Sequence, residues 1–272
     1  MSDSRHLTIG VLNGNGVAGD AFERRRTLAQ RIATAPDSDL LVLPYLAAYP
    51  PFWQVIDRAV GFAFGEREPF PSITSLLPEI NKRGIPVLTT AFEVVAEGVF
   101  YASAVLVEPS GDARVIYRQE HALNERGCFE RLYFQPGVNV TPPIFELGGL
   151  KFGLMLGGDL WVPECARSLR IIGANAFLSL AALGESMKAS GRTLSQARAL
   201  ENGVPVIFND GQSTVGEGNA TRKLTSNSIG DWSLIRFNAF EADSPVEYHD
   251  PMQMRRPRLY QSLVKTWQES GG

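Results

Sequence analysis

The stretch KFGLMLGGDLWVPE, residues 151–164, carries a buried strand into a helix that Pro163 heads. Strand ends beside helix starts are where α/β proteins place their chemistry, so a reactive side chain is expected at this junction. The chain offers Gly157 and Gly158 instead, followed by Asp159. Glycine has no atom that can attack, and neither Gly158 nor Asp159 brings a thiol or hydroxyl, so covalent catalysis at this turn is closed. Consecutive glycines are expected to enlarge the space and let a ligand approach backbone N–H groups. The two cysteines lie elsewhere. Cys165 falls on the following helix, where a thiol usually behaves as a small apolar group. Cys128 stands in the loop before Glu130, with no evident basic neighbour to make it a thiolate. The three histidines, His6, His121 and His249, are too scattered for a metal cluster, there is no CxxC pair, and no metal or cofactor is expected.

One loop matches a phosphate-binding pattern. Gly14-Asn-Gly16-Val-Ala-Gly19 has the GxGxxG spacing between a strand and a helix, but the acidic residue required at the end of the second strand is missing, since Asp37 and Asp39 precede theirs. It reads as a glycine-rich loop leading into a capped helix.

Alternating strand-like and helix-like segments must position these residues. Leu7–Leu12 is an apolar run, and Asp20 with Glu23 three residues on forms a capping-box pattern for a helix whose face carries Leu28 and Ile32. Leu40–Pro44 is the next buried strand. Ile73, Leu76, Leu77 and Ile80 share a helical face that stops at Gly84, with Pro78 starting that helix late or kinking it. Ile85–Ala91, Phe100–Val107 and Ala113–Tyr117 follow as strands, then Ile144–Leu147 and Lys151–Leu156. A helix from Pro163 to Gly173, a strand at Ala176–Ala181, a helix from Ser186 to Asn202 and a strand at Val204–Phe208 complete the pattern. With no linker or internal repeat, the expectation is a single domain over 1–272.

Composition narrows the partners. The 272 residues are 44% hydrophobic and 20% charged with a net charge of -3. That gives no basic stripe for nucleic acid and no polybasic segment for a membrane surface. No apolar run reaches a membrane span, and the polar start lacks a signal-peptide core, so a cytoplasmic location is expected. The sequon at Asn219-Ala-Thr221 is idle in that setting.

Read together, the strand ends carry a family likeness. DLLVLPYLAAYPP at 39–51, YRQEHAL at 117–123, ERLYFQPG at 130–137, GGDLWVPECAR at 157–167, ARALENGVPVIFND at 197–210 and RRPRLY at 255–260 occur in the order and spacing of nitrilase-superfamily motifs. Over nearly its whole length the chain resembles this superfamily of carbon–nitrogen hydrolases. The resemblance implies a four-layer αββα sandwich and subunits that pair through the helices at 163–173 and 186–202. It also implies a C-terminal tail from about 240 that packs on the dimer partner.

The same resemblance places the family's glutamate base, charge-stabilising lysine and cysteine nucleophile at Tyr45, Gln119 and Gly157. A phenol with a pKa near ~10 is a poor base at neutral pH, and a neutral amide donor is about half as strong as a charged one. Glu130 matches a second glutamate that positions substrate, and Asp159, Glu164 and Arg167 match the supporting residues of the turn. Read as structure alone, Glu130 pairs with Arg118 or Arg131, Asp159 caps backbone N–H groups braced by Arg167, and His121 faces the same side as Gln119. Read as function, Tyr45, Gln119, Glu130, Gly157, Gly158 and Asp159 line a site for a small polar molecule. Three readings result: foremost, a pseudoenzyme that binds without hydrolysing; next, acid–base chemistry of another class; last, hydrolysis by water that a carboxylate activates.

Overall fold

The computed structural model describes residues 6–138, 143–217, 224–238 and 250–264. Seven strands form one sheet: β1 (His6–Leu12), β2 (Leu40–Val42), β3 (Val87–Ala96), β4 (Val99–Val107), β5 (Ala113–Arg118), and, from further along the chain, β11 (Leu224–Ile229) and β12 (Trp232–Asn238). Their order is β11-β12-β1-β2-β3-β4-β5. The second sheet has the order β10-β9-β8-β7-β6, from β6 (Ile144–Leu147), β7 (Leu150–Leu156), β8 (Ala176–Leu180), β9 (Val206–Asn209) and β10 (Thr214–Glu217). Both sheets are mixed: β1, β2 and β3 run parallel, as do β7, β8 and β9, and hairpins flank each trio.

Among the described residues, six α-helices accompany the sheets: α1 (Ala21–Ala33), α2 (Arg58–Phe62), α3 (Pro71–Thr74), α4 (Leu77–Arg83), α5 (Pro163–Ile171) and α6 (Glu185–Asn202). The central strands are apolar on both faces, as parallel strands covered on both sides must be; β2 and β8 are buried throughout. Across the sandwich, Phe152 of β7 meets Phe237 of β12 edge-on at 5.5 Å, and Asn209 donates to the Leu12 carbonyl. Helices α1 and α4 pack together beside the seven-stranded sheet, and α5 and α6 lie on the five-stranded one. This is the expected α/β sandwich.

The capping box predicted for α1 is present, with Asp20 accepting from Glu23 N and Glu23 from Asp20 N. The apolar face at 73–80 is divided between α3 and α4, with Pro78 in the first turn of α4 and Gly84 closing it at φ 69°. Strands β10, β11 and β12 were not anticipated. β11 is polar and largely exposed, so it carries no buried alternation; β12 pairs antiparallel with β1 along its length and fixes it inside the sheet. The sequon at 219–221 and, of the tail from about 240, residues 240–249 and 265–272 lie outside the described residues. Among the described residues, no helix is long and apolar enough to cross a membrane.

Candidate functional site

Tyr45 lies just past β2, at the C-terminal edge of the parallel strands. The next residue, Leu46, is held at φ 49° with its N–H bonded to Thr90 Oγ1 at 2.5 Å, which anchors the backbone beside Tyr45. Tyr45 is buried and donates its hydroxyl to Gln119 Oε1 at 2.8 Å. Gln119 follows β5 directly and passes its own N–H protons on, from Nε2 to Glu130 Oε2 at 2.7 Å and to the His121 carbonyl at 3.0 Å. Glu130 opens the 3₁₀ turn Glu130–Leu132; its Oε2 also accepts from Leu123 N at 2.8 Å. Tyr45, Gln119 and Glu130 thus form one hydrogen-bonded chain.

The carboxyl of Glu130 is wholly inaccessible to solvent, and among the described residues its Oε1 has no hydrogen-bond donor. Burial pushes its pKa up to about 7, against the pull of the Leu123 N–H, Gln119 and the nearby Tyr45 hydroxyl, and the charge of Asp159 adds to the rise. Burial, then the charge of Glu130, holds Tyr45 well above the ordinary phenol range, so it stays a neutral donor. Burial likewise raises the thiol of Cys128, which stays protonated beside Glu130. The expected pairing of Glu130 with Arg118 or Arg131 is not what forms: Arg118 instead grips the buried carboxylate of Glu93 through Nε and Nη2, both at 2.7 Å. Glu93 lies on β3 and reaches Arg118 of β5 across the intervening β4, a pairing that sequence spacing did not reveal.

Gly157 and Gly158 do not widen the site, contrary to expectation. A side chain at Gly157 would run into Gln119 Nε2 and stand 2.6 and 2.7 Å from the two carboxylate oxygens of Glu130; the residue also sits at φ 49°. At Gly158 a side chain would strike the His121 carbonyl. The absence of side chains admits protein atoms, so Gln119 and Glu130 occupy the ground in front of the turn. Asp159 does cap this turn, accepting from Leu156 N at 2.9 Å and His121 N at 2.9 Å. Arg167 does not brace it: its guanidinium donates to the Glu201 carbonyl and Met252 Sδ. Glu164 is exposed on α5.

The histidines are not all isolated. The His121 ring reaches Asp159 and Cys165: its Nδ1 lies 3.0 Å from Asp159 Oδ1 and 3.3 Å from Cys165 Sγ on α5. Asp159 Oδ2 takes the Tyr117 hydroxyl at 2.7 Å. Hydrogen bonds to Asp159 and then Cys165 raise His121 to about 10, while burial, opposed by His121, raises the Cys165 thiol. Sequence reasoning missed this cluster because its members lie 38 and 44 positions from His121, and only the convergence of β5 and β7 brings them together.

A cavity of about 180 Å³ opens at the same edge of the sheets, where Gly14, Tyr45, Trp53, Ala182 and Asp210 form part of its wall. Trp53 meets Tyr45 edge-on at 5.9 Å and Phe52 at 5.1 Å, and Phe52 stacks on Phe92 at 5.0 Å. Each such ring pair adds roughly 1 kcal/mol beyond its buried area, which stiffens this wall. Gly14 belongs to the GxGxxG loop; a side chain there would collide with the Gly211 carbonyl, so the glycine serves a close loop contact.

A family model described as Carbon-nitrogen hydrolase matches residues 17–214. An (R)-stereoselective amidase from Pseudomonas sp is 33% identical over 192 residues, covering 69% of this chain and 64% of that protein. An N-carbamoylputrescine amidase from Solanum tuberosum is 26% identical over 144 residues, 50% of this chain and 47% of that one. The chain therefore spans less than two thirds of the length of these relatives. Among solved structures, a carbon-nitrogen hydrolase from Helicobacter pylori G27 superposes with a TM-score of 0.80 at 23% identity, covering 97% of this chain and 99% of the other. An amidase from Nesterenkonia sp. does so with a TM-score of 0.71 at 19% identity, covering 96% and 98%. The expectation of a pseudoenzyme is overturned by these likenesses to amidases, and by the gathering of Cys165, His121 and Asp159 in one cluster.

Proposed function

The chain belongs to the carbon–nitrogen hydrolase family, and we propose that it hydrolyses the C–N bond of a small amide or N-carbamoyl compound, with Glu130 activating water. In this reading Tyr45, Gln119 and Gly157 stand at the family's three catalytic positions, and the carboxyl that remains does the proton transfer. The observation that carries it is Glu130 itself: a buried carboxyl with a pKa near 7, one oxygen held by Gln119 and Leu123, and the other without a donor. A base poised near the working pH transfers protons efficiently.

Substrate enters from the cavity that Tyr45 and Trp53 border, and Tyr45 must turn to connect that cavity with Glu130. Water then adds to the scissile carbonyl as Glu130 Oε1 takes its proton. The neutral Tyr45 hydroxyl donates to the oxygen that gains charge. Collapse breaks the C–N bond, the nitrogen receives the proton from Glu130, and a carboxylate or carbamate leaves with an amine. At about 180 Å³ the cavity is below the ~300 Å³ where ligand pockets commonly begin, which favours a substrate of few atoms.

The test is release of ammonia or amine from a panel of short amides and N-carbamoyl amines by the purified chain. Turnover that Glu130→Gln abolishes, in a variant whose melting temperature and circular dichroism are preserved, supports the reading. No turnover across the panel overturns it. So does turnover that survives Glu130→Gln and disappears on Cys165→Ala, which would assign the chemistry to the thiol.

A further inference from the structure

We propose that His121, Asp159 and Cys165 form a binding site for a zinc-like divalent cation, separate from the Glu130 carboxyl. Their donor atoms, Nδ1, Oδ1 and Sγ, all lie within 4.8 Å of one another. Three different elements supply them: the segment after β5, the turn after β7, and the first turn of α5. A tetrahedral zinc ion holds nitrogen at about 2.0–2.1 Å, carboxylate oxygen at about 2.0–2.2 Å and thiolate sulfur at about 2.3 Å. Those bond lengths separate the nitrogen from the oxygen by roughly 3.3 Å and from the sulfur by roughly 3.5 Å. Here those two separations are 3.0 and 3.3 Å, within a few tenths of an ångström of the zinc values, and the third, oxygen to sulfur, lies within 4.8 Å, from where side-chain rotation brings it to the roughly 3.6 Å that zinc requires.

The hydrogen bonding points the same way. Nδ1 faces both Oδ1 and Sγ, and one proton on it cannot lie along both directions at once. A cation between the three atoms satisfies all of them. One imidazole, one carboxylate and one thiolate give a neutral site with a divalent ion, and loading sends the thiol proton and any proton on Nδ1 to solvent. The carboxylate is already oriented, since Oδ2 accepts from Tyr117 Oη and Leu156 N and Oδ1 accepts from His121 N. Outer hydrogen bonds of this kind are what hold metal ligands in place. With Asp159 buried and the His121 side chain 41% exposed, a water can fill the fourth position from the solvent side.

The experiment strips the full chain with a chelator and titrates it with Co²⁺ as a spectroscopic substitute for Zn²⁺. One equivalent is expected to raise a thiolate-to-cobalt charge-transfer band together with tetrahedral d–d bands, both bleached by one equivalent of Zn²⁺. Cys165→Ser should lose the charge-transfer band, and His121→Asn should lose saturable binding. Tyr117→Phe should keep the stoichiometry while weakening the affinity about 10-fold. Circular dichroism identifies any variant that fails to fold, in which case the other two decide. No spectral change at several equivalents of Co²⁺, or the same band in folded Cys165→Ser, overturns the site and leaves a hydrogen-bonded cluster. Neither outcome depends on whether the chain hydrolyses amides.

Discussion

Replacing Glu130 by glutamine should change how stability depends on pH, and the size of the change follows from the burial of the carboxyl. In the folded chain this group titrates at about 7, against an ordinary 4.5. The folded state therefore holds its proton more tightly than the unfolded chain does. Between pH 4.5 and 7 the folded state binds more protons, so raising the pH favours unfolding. The stabilisation is complete below about pH 4.5 and is lost as pH rises through 7, a change of about 3 kcal/mol. The groups that face Glu130 do not cancel this. Tyr45 and Cys128 both have raised pKa values and stay neutral over the range, and Asp159 is present in wild type and variant alike. Glutamine preserves an acceptor for Gln119 Nε2 and Leu123 N but cannot ionise. Urea unfolding of both proteins at a series of pH values gives the difference directly. Relative to Glu130→Gln, the wild type should lose about 3 kcal/mol between pH 4.5 and 8. Parallel stability curves would mean that Glu130 titrates as an ordinary exposed carboxylate, and the argument from its burial would fail.

Gly157→Cys should be destabilising by at least about 2 kcal/mol, because φ 49° strains any side chain and the new atoms meet Gln119 and Glu130; equal melting temperatures would contradict the packing described. Tyr45→Phe should cost about 1–3 kcal/mol in chemical denaturation, since it leaves Gln119 Oε1 buried without its donor. Arg118→Met should cost about 2 kcal/mol, less than a fully buried pair because Arg118 is one-third exposed, while Glu93→Gln in the same background should recover part of the loss. Pairing of subunits through α5 and α6 remains a proposal, in keeping with exposed Ile171, Ile172 and Leu200; sedimentation at micromolar concentration should give a dimer mass or larger, and a monomer would refute it.

Much of the architecture was readable because its strands are apolar runs bounded by glycine, proline and caps. β1, β4, β6 and β7 fall within a residue or two of their sequence positions, and the capping box marks the start of α1. β11 escaped because an exposed, polar strand such as LTSNSI has no buried face to betray it. At the site, Tyr45, Gln119 and Glu130 could be grouped because the motifs that carry them, DLLVLPYLAAYPP, YRQEHAL and ERLYFQPG, resemble those of the nitrilase superfamily. The role of the glycines was misjudged, since sequence shows the absence of a side chain and not what fills the space; here Gln119, Glu130 and the His121 carbonyl fill it. The expected Asp159–Arg167 pairing failed for a related reason. Spacing on α5 placed Arg167 near the turn, but the Glu201 carbonyl and Met252 compete for its guanidinium from elements far along the chain.

The most direct test of the account is the pH dependence of kcat/KM on whichever short amide or N-carbamoyl amine the chain cleaves fastest. With Glu130 as proton acceptor, ionised only above its raised pKa, the rate constant should climb tenfold per pH unit below about 7 and level off above it. Glu130→Gln should lower the plateau by at least about 10² and remove the climb. A profile flat through pH 7, or one that Glu130→Gln leaves unchanged, would contradict a water-activating role for this carboxyl.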